Sequence, residues 1–254
     1  MEKSKVMKKR FWEIDALRGS AVLMMIWFHL LFDLSYFGLM EINVETGFWR
    51  IFGYLTAVLF VFIAGVSVFI SSERSNQRLS KRDYCLKFLR RGFFLLLLGL
   101  FITAATWVFA GDGYIVFGIL SLIGISVLLS PFFVRLHTLN FFIGIFVIIT
   151  GLFISKMNGP YFMIPFGLTP NGFYSLDYEP LFPWFGVFLL GISAGSYFYG
   201  GEERRFSNIK ILIDKTGLKR GFLEYFGRHS LAVYLIHQPV IILILSALAG
   251  RILI

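Results

Sequence analysis

The chain has 254 residues, of which 57% are hydrophobic and only 15% are charged, and its formal net charge is +9. This balance, together with a mean hydropathy of +0.76, excludes an ordinary soluble globular protein. The apolar runs are about 20 residues long, the length that crosses a bilayer as a helix, and they lack the alternation of a membrane β-barrel. The sequence therefore predicts an all-α, polytopic membrane helical bundle that forms one integral-membrane domain over residues 1–254.

The first predicted span, near residues 14–38, contains four ionisable side chains that we call the polar stripe: Asp15, Arg18, His29 and Asp33. At about 100° per residue, these positions fall within roughly 60° of one another on a helix. Burying a charge in hydrocarbon costs at least about 2.5 kcal/mol, so such residues normally face a bundle interior or a water-filled path. We therefore expect function at the polar stripe.

Six more spans are predicted, near residues 48–71, 86–110, 114–134, 139–156, 181–199 and 230–250. Lys and Arg concentrate at the N-terminus and in the loops 72–91 and 200–229, whereas the opposite flanks hold only Arg50, Lys156 and Arg251. This asymmetry predicts a multi-pass protein of the cell membrane, with its N-terminus in the cytoplasm and its C-terminus outside. Because the basic residues lie in short loops rather than on a soluble face, we expect the lipid bilayer and no nucleic acid as a partner.

Within the first span, the spacing of the charged residues predicts two local pairs. His29 and Asp33 are four residues apart, so the carboxylate is expected to accept a ring N–H and hold His29 as a general base. Asp15 and Arg18 are three residues apart and are expected to pair with each other. The loop 157–180 is rich in Gly and Pro and is expected to be an outer loop.

The last span provides a second polar path. The segment GRHSLAVYLIHQP places Arg228 and His229 at the cytoplasmic mouth and His237 with Gln238 about 12 Å deeper. If the first and last spans pack together, the two deep histidines, at 29 and 237, meet near the membrane midplane.

A base at midplane below a cationic mouth suits a donor that is anionic at one end and reactive at the other. Acyl coenzyme A has this form, and guanidinium groups such as those of Arg18 and Arg228 bind phosphates well. Arg90 and Arg91 could join them, although an anchoring role under the positive-inside tendency explains these two as well. On this hypothesis the candidate residues are as follows: catalytic, His29, Asp33 and His237; coenzyme-binding, Arg18, Arg228, His229, Arg90 and Arg91; substrate-binding, Gln238 and Asp112.

Four sequence blocks carry a resemblance to a known family: RFWEIDALRG, FHLLFDLSYFG, FVFIAGVS and GRHSLAVYLIHQP. They resemble the membrane catalytic domain of heparan-alpha-glucosaminide N-acetyltransferase and its prokaryotic relatives, within the wider transmembrane acyltransferase superfamily. The pattern of Arg18, ten residues and then His29 is also similar to the Arg/Lys to His motif of the acyltransferase-three branch. The lysosomal enzyme has additional spans and, as aligned, lacks a histidine at position 29, so a catalytic His29 is implied by the acyltransferase-three pattern.

The resemblance implies an acyl-CoA-dependent O- or N-acyltransferase. Acetyl-CoA or another acyl-CoA would be the donor co-substrate in the cytoplasm, and a hydroxyl or amine of an extracytoplasmic glycan or glycolipid would be the acceptor. His29 would act as general base for direct attack on the thioester, and a covalent acyl-His29 intermediate stays open. The sequence leaves open the acceptor, the length of the acyl chain and the oligomeric state, and a homo-oligomer is one of the states that it allows.

Two alternatives come from other protein classes. A proton-coupled transporter would use His29, Asp33 and His237 as a proton relay. A b-type cytochrome would use the two histidines as axial ligands of a haem. The sequence has no P-loop, zinc-ligand spacing or dinucleotide fingerprint, so we predict no metal and no haem.

Overall fold

A computed structural model describes residues 11–110, 113–200 and 220–252 of the chain. These residues form eight α-helices: α1 (Trp12–Tyr36), α2 (Gly47–Asn76), α3 (Lys81–Ala110), α4 (Ile119–Phe133), α5 (Leu139–Ile154), α6 (Leu181–Tyr199), α7 (Arg220–Arg228) and α8 (Ser230–Ala249). By length and composition, six of them can cross a membrane, and α5, with 16 residues, is a shorter apolar helix. The prediction of an all-α polytopic membrane protein is confirmed.

The chain divides into two compact units. We call residues 61–200 the central unit, and residues 11–60 together with 220–252 the terminal unit. The helix α2 contributes residues 47–60 to the terminal unit and 61–76 to the central unit. The single domain expected from the sequence stays a prediction.

The connection between α2 and α3 is much shorter than the loop 72–91 expected from the sequence. The helix α2 continues to Asn76, and α3 already begins at Lys81. The Ser80 hydroxyl donates to Asp83 Oδ2 at 2.7 Å and accepts from the Asp83 backbone N–H at 3.2 Å. This capping arrangement satisfies free donors at the start of a helix, so polar residues that we assigned to a loop are helical.

Close helix contacts build the central unit. The pairs α3 with α4 and α5 with α6 pack along their lengths, and α4 also contacts α6. The second half of α2 crosses α6 at Gly65 and Gly191, where a side chain on either residue would overlap the other helix's backbone. Small residues at such crossings let helix backbones approach within a membrane.

In the terminal unit, α1 packs against α7 and α8. Ile241 and Leu245 of α8 are buried against apolar side chains of α1 that include Ile26, Leu30 and Leu34. At the other end of α1, a Cβ on Gly19 would overlap the carbonyl oxygen of Leu223 in α7. The first and last spans therefore lie together, as the sequence analysis required.

Within the central unit, the Gly/Pro-rich loop 157–180 does not span and is bonded to the short segment before α4. The backbone N–H groups of Leu176 and Glu179 donate to the carbonyls of Gly113 and Phe117, each at 2.8 Å. The Ser175 hydroxyl lies 3.0 Å from the Tyr114 carbonyl oxygen. Backbone pairing of this kind holds the end of the loop in one position.

Candidate functional site

The polar stripe faces α7 and α8. Asp15 and Asp33 are buried, whereas Arg18 and His29 are partly buried. Trp27, on another side of α1, is 51% exposed. The stripe thus lies on the protein-facing side of its helix, where burial of charge is compensated by polar partners.

His29 and His237 form the centre of the site. Their rings meet edge to face, with centroids 4.8 Å apart and planes at 82°. His237 is 8% exposed. The contact predicted between the first and last spans is therefore present. It does not suit the axial-ligand alternative, because a porphyrin would have to lie between the two rings.

Backbone carbonyls orient both imidazoles. His29 Nδ1 lies 2.9 Å from the Met25 carbonyl oxygen, and His237 Nδ1 is bonded to the Tyr234 carbonyl oxygen. A carbonyl oxygen only accepts, so each Nδ1 must carry the hydrogen, and each neutral ring keeps a lone pair on Nε2. In the described part of the chain, the buried Nε2 of His237 has no hydrogen-bond partner. The pair therefore offers two nitrogen bases side by side.

The expected orientation of His29 by Asp33 does not occur. Asp33 is 2% exposed, and both of its carboxylate oxygens accept from the Gln238 side-chain nitrogen at 2.8 Å. Gln238 lies on α8, and its bond to Asp33 replaces the local contact that was expected between Asp33 and His29. Its own oxygen, Oε1, is buried without a partner among the described residues. Asp33 thus fixes Gln238 beside His237, and Met25 takes the role that we assigned to Asp33.

The predicted arginines of the first and last spans also come together, around a shared carboxylate. Arg18 Nη1 donates to Asp15 Oδ1 at 3.1 Å and to the Gly227 carbonyl at 3.3 Å. Arg228 Nε lies 3.8 Å from the other Asp15 oxygen, and Arg228 Nη2 bonds Glu224 at 2.9 Å. We call these residues the arginine group. The pairing of Asp15 with Arg18 that the sequence predicted is present.

The remaining candidate residues have different positions. His229 is exposed at the junction of α7 and α8, with Nδ1 2.9 Å from the Tyr225 carbonyl oxygen and its ring tilted by 39° against that of Tyr225. Arg90 and Arg91 are exposed on α3 in the central unit. Asp112 lies outside the described residues, so its predicted role stays a prediction.

A comparison with models of known protein families assigns the chain to one of them. A family model described as heparan-alpha-glucosaminide N-acetyltransferase, catalytic, matches residues 10–239. The chain belongs to this family. A comparison with curated proteins found no match, and a comparison with solved structures found none either. The resemblance inferred from the sequence blocks is confirmed.

Membership in the heparan-alpha-glucosaminide N-acetyltransferase family indicates a membrane enzyme of the acetyltransferase type. The matched range includes the whole polar stripe, His237 and Gln238. Across the described residues, no three His, Cys, Asp or Glu side chains come together as a metal site. Among the described residues of the terminal unit, the groups at hand for chemistry include the two imidazoles and the Asp33–Gln238 pair.

A carboxyl pair in the central unit was not assigned a role from the sequence. Asp177 accepts from the backbone N–H of Ile119 at the start of α4, and its side chain covers Gly118. Burial raises the pKa of Asp177 to about 6. Burial, together with the nearby charge of Asp177, raises the pKa of Glu179 well above its usual value. Only long-range backbone pairing brings these carboxyls to α4, and no local pattern signals it.

Proposed function

We propose that this chain moves an acetyl or other acyl group from acyl-CoA to a hydroxyl or amine of an extracytoplasmic glycan or glycolipid. The observation that carries the proposal is the contact of His29 with His237, each with its Nδ1 hydrogen held by a backbone carbonyl. In a member of an acetyltransferase family, an available imidazole lone pair is what an attacking hydroxyl or amine requires. The N-terminus would lie in the cytoplasm, as the distribution of Lys and Arg predicts.

His29 is proposed as the general base of direct transfer. Its Nε2 removes the proton from the acceptor group, whose oxygen or nitrogen attacks the thioester carbonyl carbon. The C–S bond then breaks, and the imidazolium returns the proton to the leaving sulfur, so that coenzyme A departs as a free thiol. His237 contacts the His29 ring and can share this proton, since its Nε2 is also unprotonated in the neutral ring. An acyl-His29 intermediate would use the same lone pair as nucleophile.

The Asp33–Gln238 pair would position the acceptor. Because the Gln238 nitrogen is held by both Asp33 oxygens, its amide oxygen is fixed and available to accept a hydrogen bond. An acceptor hydroxyl or amine is a donor of this kind. Asp33 would thus act through Gln238 rather than through His29.

The arginine group is proposed to bind the coenzyme's phosphates. The side chain of Arg228 pairs with Glu224 and, at 3.8 Å, with Asp15, but it is 47% exposed against 23% for Arg18, so it is the better placed of the two for an outside anion. Guanidinium groups suit phosphate because their donors are fixed in a plane and stay charged. His229, next to Arg228 in the chain, is a further candidate contact, and Arg90 and Arg91 stay candidates from the sequence.

Release of free thiol from acyl-CoA by purified protein tests the proposal. Acetyl-CoA with a panel of amino sugars and glycans should yield thiol together with acylated acceptor. His29→Ala should lower the rate by about 10²- to 10⁴-fold, the usual contribution of a general base. Trp27→Phe, on an exposed face of the same helix, is the matched control and should retain the rate.

Full activity of His29→Ala would contradict the assignment of the base. Transport of an intact solute into sealed vesicles, with no thiol released from any donor, would instead support the proton-coupled alternative. His237→Ala separates the two imidazoles. If His237 shares the proton, His237→Ala should lower the rate of acyl transfer and should also shift the pH dependence of that rate.

A further inference from the structure

A basic cluster at the junction of α2 and α3 contains one coenzyme-binding candidate from the sequence, Arg91, and none of the residues proposed above for catalysis. Lys87 reaches from α3 to α2, where its ammonium group donates to Ser71 Oγ at 2.9 Å and to Ser75 Oγ at 2.6 Å. Ser75 is itself held, since its hydroxyl donates to the Ser71 carbonyl at 2.7 Å. The position of the Lys87 charge is therefore fixed by two helices.

Two further cations lie close to this lysine. Arg74 occupies α2 between the two serines, and Arg91 follows Lys87 by one turn of α3, so that the charges of both act on the ammonium group. Of the described carboxylates, none lies within 4 Å of Lys87 or Arg91. Asp83, one turn before Lys87, accepts from Ser80 instead. Lys87 and Arg91, held one turn apart without such a neighbour among the described residues, repel each other, and a bound anion would relieve the repulsion.

The cluster also has hydrogen-bond donors to spare. An ammonium group has three N–H donors, and the two serines use two of those on Lys87. The Ser71 hydroxyl accepts from Lys87, and no acceptor for its own hydrogen occurs among the described residues. The Arg91 guanidinium likewise has no hydrogen-bond partner in the described part of the chain. Such a mixture of ammonium, guanidinium and hydroxyl donors suits the oxygens of a phosphate group.

The surface next to the cluster is apolar. Beyond Arg91 along α3, Phe93 and Phe94 are 57% and 53% exposed, and Leu97 is 48% exposed. In a membrane helix such side chains face lipid tails. A ligand at this place would meet cations at one end of α3 and an apolar surface farther along it, as the headgroup and acyl chains of a phospholipid do.

We propose that Lys87, Arg91, Arg74 and Ser71 form a binding site for a phosphate group at the membrane surface. The adjoining apolar face of α3 favours the phosphate of an anionic phospholipid over that of a soluble molecule. This site does not depend on the proposed acyl transfer.

The thermal unfolding midpoint of the detergent-purified chain, followed by tryptophan fluorescence, tests the site. Phosphatidic acid should raise it, whereas diacylglycerol with the same acyl chains, which lacks only the phosphate, should not. Lys87→Gln with Arg91→Gln should reduce the rise by about half or more, since both charged donors are lost. Lys81→Gln with Arg82→Gln is the matched control, because it removes the same charge from exposed positions of α3 and should retain the full rise.

A rise with inorganic phosphate or coenzyme A that equals the rise with phosphatidic acid would support the site and overturn a lipid as its ligand. If none of the phosphate probes raises the midpoint, or both double variants lose the rise equally, the site itself is overturned. If the double variant does not fold, Arg91→Gln alone serves, because this exposed side chain has no partner among the described residues. An unchanged rise in Arg91→Gln would also count against the site.

Discussion

At the scale of single residues, the hydrogen bond between Asp33 and Gln238 places strict demands on both side chains. It joins a buried carboxylate to a side chain of another helix through both carboxylate oxygens. A buried charge keeps its place only if it is hydrogen-bonded, because its desolvation is costly. Replacing either residue alone therefore leaves its partner buried without this hydrogen bond, and the protein is destabilised.

We expect Gln238→Ala to destabilise the protein by about 3 kcal/mol, since it leaves the charged Asp33 carboxylate buried and without its hydrogen-bond donor. Asp33→Ala should cost less, about 1–3 kcal/mol, because it leaves a neutral amide unsatisfied. Unfolding in detergent by a graded denaturant measures both. In the double variant the losses should not add, since neither partner is left alone. Additive losses would show that the two side chains do not act as a pair.

The same residues show how much of the site could be predicted from the sequence. The spacing of the polar stripe correctly predicted a protein-facing side of α1. The contact of His29 with His237 and the approach of Arg18 and Arg228 were expected only if the first and last spans pack together, and these spans do so. The spacing predicted the wrong partner for His29, because an i,i+4 rule considers side chains only. Helical side chains lean toward the N-terminus, and Nδ1 therefore reached the carbonyl of Met25.

At the scale of the helix, α7 lies against α1 through two glycines. A methyl group on Gly227 would overlap the carbonyl oxygen of Asp15, and one on Gly19 would overlap that of Leu223. The arginine group is built at this crossing, since Arg18 donates to the Gly227 carbonyl. Packing and the proposed phosphate contact thus depend on the same two small residues.

Gly227→Ala should separate α7 from α1, lower the unfolding midpoint and weaken acyl-CoA binding. The matched control is Gly221→Ala on the same helix, where an added Cβ meets nothing within 4 Å. This control should be neutral or stabilising by up to about 1 kcal/mol, the helix preference of alanine over glycine. The test compares the unfolding midpoints of the two variants and their dissociation constants for acyl-CoA. Equal behaviour of both would show that the crossing tolerates a side chain.

The carboxyls next to α4 predict a pH dependence. Because the folded chain raises the pKa of Asp177 from 3.8 to about 6, it holds this proton more tightly than the unfolded chain does. The resulting stabilisation is present at low pH and is lost as the pH rises from about 4 to about 6. Asp177→Asn, which can still accept from Ile119, should therefore show a smaller fall in unfolding midpoint over this interval.

Glu41→Gln, at an exposed loop carboxyl, is the control for that experiment and should follow the unmodified chain. A fall of unchanged size in Asp177→Asn would mean that Asp177 does not hold its proton in the folded state. No sequence pattern indicated the contact of these carboxyls with α4, because the loop and the segment before α4 are far apart in the chain and become neighbours only through the backbone bonds of the loop.

At the scale of the whole molecule, the fold class followed from composition and from the length of the apolar runs. The bounds of α2 and α3 did not, because a polar segment such as residues 72–80 is helical or not according to its caps. The shorter helix α5 also differs from a full span, with 16 residues in place of the expected 18 or so. Hydropathy gives the length of an apolar run, but it does not show at which residues the helix begins and ends.

The orientation of the chain can be tested with its only cysteine. Cys85 is exposed and lies in a segment expected in the cytoplasm. A membrane-impermeant maleimide should therefore label it only after the cells are permeabilised. In Cys85→Ser with Lys156→Cys, the new thiol lies on the opposite flank and should be labelled in intact cells. Labelling of Cys85 in intact cells would reverse the predicted orientation.

The bonds of α1 to α7 and α8 also bear on biosynthesis. Asp33 is 205 positions from Gln238, and Arg18 is 209 positions from Gly227. While the ribosome is still making the intervening helices, the nascent first span has its ionisable side chains without these contacts. We therefore expect α1 to need shelter by the insertion machinery until α7 and α8 have been made, and chains truncated before α7 should be targets for membrane quality-control proteases.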